Sequence, residues 1–158
     1  MRIAKYIAHC GYCSRRMAEE LILGSRVCVN GIVNLNLAYQ VEVNSDIVEV
    51  NGDRINIPKI EVWLYHKPVG VITSRKDEKD RPTVFDKLPS NLRNFVTVGR
   101  LDYNSEGLLV LTNNGELSRF MELPNNKLVR VYKVRVFGRI DFNKMKSELG
   151  SGIEIDGM

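Results

Sequence analysis

From residue 60 onward the apolar residues come in short runs: VWLY at 62–65, VGVI at 69–72, FVTV at 95–98 and LLVL at 108–111. Each is bounded by polar residues or by Gly and Pro, as strands are. Between and after them lie helical patterns. Leu117, Phe120 and Met121 share one face of ELSRFMEL, and a last helix begins at Asp141 and buries Phe142, Met145 and Leu149. Strands and helices are mixed without a regular βαβ rhythm, which predicts an α+β fold with a largely antiparallel sheet. In RVYKVRVF, Tyr132, Val134 and Val136 take one side of a strand while Lys133 and Arg135 take the other. The charged stretch RKDEKDRPTVFDKLPSN reads as a loop with a short helical centre lined by Val84, Phe85 and Leu88.

The first sixty residues follow a different plan. Ile3, Tyr6, Ile7 and Cys10 recur at helical spacing, and Gly11 can close that helix. Ser14 is a helix N-cap for a second helix with Met17, Ala18, Leu21 and Ile22 inward, ending at Gly24. Val27 and Val29 then alternate with Arg26 and Cys28, and Asn30-Gly31 supplies a hairpin turn. The acidic stretch EVNSDIVEVNGDRINIPK closes this small β-unit, with a linker and boundary near Pro58. The expected organisation is a module over 1–58 and a second segment over 59–158.

Charge follows the same division. Residues 1–30 carry five basic and two acidic side chains, residues 31–58 one basic and four acidic, and the remainder 17 basic and 13 acidic. A basic patch attracts a polyanion such as RNA, although a solvated helix face has the same composition. Arg15 and Arg16 stand in the first turn of the second helix, where the helix dipole disfavours cations, and so point outward to an anionic partner. With 44% hydrophobic and 27% charged residues the chain is globular, and no run approaches the roughly 20 apolar residues that span a bilayer. A cytoplasmic protein is expected. His9, Cys10 and Cys13 in HCGYC lack a second Cys pair to complete a structural zinc site, and read as half-buried residues at a helix junction.

GRLDYNSEGLLVLTNNGEL places Arg100 two residues before Asp102. In an extended segment the two side chains point the same way and can pair. From the residues alone a structural ion pair and a catalytic carboxylate both remain open.

Two blocks of sequence carry a resemblance. SRRMAEELILGSRVCVNG resembles the S4 RNA-binding module, which implies RNA contact by Arg15, Arg16 and Arg26, and by Lys5. VGRLDYNSEGLLVLTNNGEL, with KPVGVITS, DRPTVFDKLP and RVYKVRVFG in the same order, is similar to S4-linked pseudouridine synthases, closest in look to those of the large ribosomal subunit. The resemblance implies a ribosomal RNA substrate and Asp102 as the catalytic aspartate that breaks the uridine glycosidic bond, by attack on sugar or base or by taking a sugar proton. It implies that Arg100 pairs with Asp102 and helps open the RNA, and that Tyr132 stacks on the uracil and can serve in proton transfer. An isomerisation implies no cofactor and no metal. Asn114 replaces the family's usual aspartate, which is tolerable because Asn also accepts a left-handed turn, and Arg130 replaces a lysine. The chain stops at GSGIEIDGM, where the family's catalytic domain continues, so an incomplete catalytic sheet is expected, and with it the alternative of an inactive RNA-binding protein.

Overall fold

The computed structural model describes residues 1–152, in two compact units, Met1–Leu128 and Val129–Met158. The first unit holds two antiparallel sheets, each with its own core, and so has the α+β architecture that the run lengths predict.

At the N-terminus, helices α1 (Ile3–His9) and α2 (Arg15–Leu23) pack on each other. The Ser14 hydroxyl accepts the Met17 N–H at 3.3 Å and starts α2, and Gly24 ends it. Strands β1 (Val27–Val29), β2 (Ile32–Val33), β3 (Val48–Val50) and β4 (Asp53–Arg54) form a sheet in the order β2-β1-β3-β4. Its two hairpins turn at Asn30-Gly31 and Asn51-Gly52, all four residues with positive φ (52°, 78°, 55° and 88°), the geometry of a tight two-residue turn. Ile3, Ile7, Ala18, Ile22, Val27 and Val50 are buried together between helices and sheet. Met17, expected to face inward, is exposed, and α2 buries only Ala18 and Ile22, because a nine-residue helix on a small sheet presents a narrow stripe.

The second sheet has the order β5-β7-β6, from β5 (Val62–Lys67), β6 (Val96–Val98) and β7 (Gly107–Thr112). Trp63 pairs with Leu111, Tyr65 with Leu109 and Lys67 with Gly107, so these residues share a face. Leu109 and Leu111 are buried on it against Val71, Leu88, Leu92 and Phe95, together with Val84 of helix α3 (Val84–Lys87). The Thr83 hydroxyl and the Asp86 carboxylate cap α3 reciprocally. On the opposite face Leu64 and Leu108 are 72% and 64% exposed.

Helix α4 (Gly115–Glu122) packs on β6 and β7. Asn114 does not adopt the left-handed turn conformation expected of it. Its φ is −111°, and its side chain caps α4 by accepting the Glu116 and Leu117 N–H groups at 2.9 and 3.0 Å. The helix buries Ser118 and leaves Phe120 exposed, another departure from the predicted face, because Ser118 donates its hydroxyl to the Thr97 carbonyl on the sheet at 3.1 Å.

In the second unit α5 (Phe142–Ser151) starts where predicted, with Asp141 accepting the Asn143 and Lys144 N–H groups at 3.0 and 3.1 Å. Phe142, Met145 and Leu149 are exposed rather than buried. Residues 130–137, expected to be a strand, form none among the described residues, and Tyr132, Val134 and Val136 are exposed. Alternation makes a segment competent to be a strand, but only a neighbouring strand makes it one.

The core of the N-terminal sheet gives a direct test. Ile22→Ala is expected to cost about 2–5 kcal/mol of unfolding free energy by urea denaturation. Leu23→Ala, one residue on and 63% exposed, should change it by less than about 0.5 kcal/mol.

Candidate active site

Residues 99–106 connect β6 to β7 and carry Arg100 and Asp102. Three separate elements hold this loop. From α4, Glu122 accepts the Gly99 N–H at 2.9 Å, at a glycine whose φ of +70° suits a residue without a Cβ. From the segment after β5, the Thr73 hydroxyl donates to the Leu101 carbonyl at 2.8 Å and accepts the Leu101 N–H at 3.2 Å. The Gly70 N–H donates to the Tyr103 carbonyl at 2.8 Å.

The third element is Lys67, at the end of β5 and completely buried. Its ammonium donates to the carbonyls of Pro68, Asp102 and Ser105 at 3.0, 2.9 and 2.8 Å. An ammonium has three protons, and here each has a carbonyl acceptor. Burial lowers the Lys67 pKa from the usual lysine value, and the nearby Asp102 carboxylate opposes that shift. The Ser105 N–H also donates to the Asp102 carbonyl, at 3.1 Å, so this one carbonyl receives two donors.

The backbone of Asp102 is therefore fixed, whereas its side chain is exposed and makes no hydrogen bond among the described residues. A carboxylate on a clamped loop, open to solvent and free of protein donors, can act on an external group as base or nucleophile. The expected Arg100–Asp102 ion pair is not formed: no ion pair among the described residues joins them, and both residues are exposed. The same-side rule holds for extended strands, and residues 100–102 lie in an irregular loop after β6 has ended. Tyr132 belongs to the second unit and is 69% exposed.

Of the residues expected to contact RNA, Arg15, Arg16 and Arg26 are exposed on the N-terminal module. Lys5 is engaged within the protein, pairing with Glu116 at the start of α4 and holding that carboxyl below the usual carboxylate range. A second contact, Asn94 Nδ2 donating to the Gly11 carbonyl at 3.2 Å, also joins the N-terminal helices to the segment before β6. Cys10 and Cys13 are half-buried against the N-terminal core, and burial pushes the Cys10 thiol up to about 11, away from the reactive thiolate.

Comparison with known proteins gives the family. Residues 61–155, more than half of the chain, match the family model of RNA pseudouridylate synthase. The chain belongs to the RNA pseudouridylate synthase family. Residues 1–47 match the S4 domain, so this member of the family carries that domain at its N-terminus. An RNA pseudouridine synthase of Rickettsia felis is 49% identical over 158 residues, covering 99% of this chain and 67% of its own. Proteins named ribosomal large subunit pseudouridine synthase B, from Buchnera aphidicola and Yersinia pestis, are 38% and 40% identical over 98% of this chain and cover 63% and 50% of their own lengths. The chain thus spans half to two thirds of the length of these relatives. Pseudouridine synthases are isomerases, and this chain is of that class.

Sequence reasoning singled out Asp102 as a candidate but passed over Lys67 and Thr73, which hold its loop. The signal was available: Trp63, Tyr65 and Lys67 occupy one phase of an alternating strand, so a lysine falls where the core face requires an apolar residue. Thr73→Val, which keeps the shape and removes the hydroxyl, leaves both backbone groups of Leu101 without that partner. It is expected to destabilise the unit by about 1–3 kcal/mol in chemical denaturation.

Proposed function

We propose that this chain acts on ribosomal RNA, isomerising a uridine to pseudouridine with Asp102 as the catalytic carboxylate. The observation that carries the reading is the contrast at Asp102, a backbone held by Lys67 and a carboxylate left open. In the reaction the ribose attachment of uracil passes from N1 to C5, and Asp102 assists the breaking of the glycosidic bond. A uridine within a duplex is out of reach of a carboxylate on a protein loop, so the nucleotide must leave its stack first. Arg100, adjacent on the loop and with no acidic partner among the described residues, is available to the RNA as the nucleotide leaves. Tyr132 is proposed as the residue that stacks on the uracil.

Residues 1–58 serve in this reading as the RNA-holding module. Arg15, Arg16 and Arg26 supply exposed positive charge to phosphates. Lys5 joins them only if its pair with Glu116 opens. The names of the Buchnera and Yersinia relatives favour the large ribosomal subunit as the source of the substrate.

A second reading, an RNA-binding protein without turnover, has one observation in its favour: the segment bearing Tyr132 forms no strand among the described residues. Incubation with ribosomal RNA fragments, followed by mapping of pseudouridine, separates the two. The first reading predicts modified uridine with the wild-type chain, none with Asp102→Asn, and undiminished RNA affinity in that variant. RNA binding by the wild-type chain without any pseudouridine supports the second reading, and equal loss of binding and turnover in Asp102→Asn makes Asp102 structural.

A further inference from the structure

The charged loop before α3 contains a second organised cation. The Asp77 carboxylate is nearly buried and accepts four N–H groups: Lys79 N at 3.2 Å, and Arg81 N, Nε and Nη2 at 2.9, 3.0 and 2.8 Å. This bidentate pair fixes the plane of the Arg81 guanidinium. The Arg81 side chain is nevertheless 43% exposed, and among the described residues its Nη1 has no acceptor. Asp80, just before it, has a φ of +52°, an uncommon conformation for a residue with a side chain and one that marks a constrained turn.

Arg81 is tied to the candidate catalytic loop by two routes. Its guanidinium lies over the Tyr103 ring, 5.8 Å from the centroid, and Tyr103 follows Asp102 directly. Through the backbone, the Pro82 carbonyl accepts the Ile72 N–H at 3.0 Å, and the neighbouring Thr73 hydroxyl holds Leu101. A guanidinium whose main function was to brace the loop would sit like Arg75, which stacks 4.4 Å over Phe85 and spends Nη1 and Nη2 on the Arg93 and Phe95 carbonyls, both at 2.7 Å. Arg81 keeps one nitrogen free while its guanidinium lies over the ring of Tyr103, the residue after Asp102.

We propose that Arg81 binds a backbone phosphate of the RNA strand that carries the target uridine. The claim rests on the reading of Asp102 given above and adds an anion contact on the same loop system. A guanidinium oriented in advance by a carboxylate gives up little side-chain freedom when it meets a phosphate. The groove at this loop, about 410 Å³, is lined by Arg75, Lys76 and Arg81 and also by Asp77, Asp80 and Asp86. Two of those carboxylates are already occupied, Asp77 by Arg81 and Asp86 by Thr83, which limits their repulsion of an anion.

The test measures binding of a short RNA hairpin with uridines in its loop, at several salt concentrations, with the full chain carrying Asp102→Asn so that no chemistry intervenes. Adding Arg81→Gln is expected to weaken binding several-fold and to lower the salt slope by about 0.7–0.9, the value of one phosphate contact. Adding Asp77→Asn, which breaks the clasp and leaves the guanidinium, should keep the full slope, as should Arg81→Lys, which retains a charge and disturbs the loop less. An unchanged slope in Arg81→Gln overturns the proposal, as does an equal loss of slope in all three variants. The reading of Asp102 fails separately, by absence of pseudouridine from wild-type reactions, whichever way the slopes fall.

Discussion

The candidate site depends on one buried ammonium. Removing a lysine from water is costly unless its charge is answered, and Lys67 is answered by three backbone carbonyls and by the field of the Asp102 carboxylate. Two of those carbonyls, those of Asp102 and Ser105, belong to the loop that must be held still. The cost of burying the charge and the order of the loop are thus coupled, since the lysine is satisfied only while the loop keeps its shape. An apolar residue at the same place would leave the Pro68 and Ser105 carbonyls without that donor and the Asp102 carbonyl with the Ser105 N–H alone.

The same use of cations recurs in the first unit. Arg75 ties the segment after β5 to the backbone ahead of β6, Arg81 clasps the charged loop through Asp77, and Lys5 joins α1 to α4 through Glu116. Positive charge in this basic chain is therefore divided between residues consumed in holding loops and residues left for an anionic partner. The exposed Arg15, Arg16 and Arg26 belong to the second group, and Lys5, counted with them from sequence, belongs to the first in this structure.

Local features were legible where local rules decide them. Ser14 caps α2, Asn30-Gly31 turns the hairpin, Asp141 starts α5, and the runs at 62–65, 95–98 and 108–111 correspond to β5, β6 and β7, whereas the run at 69–72 forms no strand among the described residues and makes only a bridge from Ile72 to Thr83. Features that need a distant partner were not. The strand expected at 130–137 forms no ladder among the described residues, and the inward faces assigned to α4 and α5 lie exposed at Phe120, Phe142 and Leu149. At the site the carboxylate was legible from its motif, whereas its expected pairing with Arg100 assumed an extended backbone that the loop does not have. Lys67 escaped because, beside Pro68 and Gly70, it looks like a turn residue, although its position in the strand alternation places it in the core.

The central claim, that Lys67 fixes the loop carrying Asp102, is tested most directly by amide hydrogen exchange in Lys67→Met. The Gly70 N–H reports the bond to Tyr103, the Ser105 N–H reports the bond to Asp102, and the β7 amides report the sheet itself. The account predicts that Gly70 and Ser105 lose protection in the variant while Leu109 and Leu111 stay slow. Unchanged protection at Gly70 and Ser105 would contradict it, since the loop would then hold its shape without the buried ammonium.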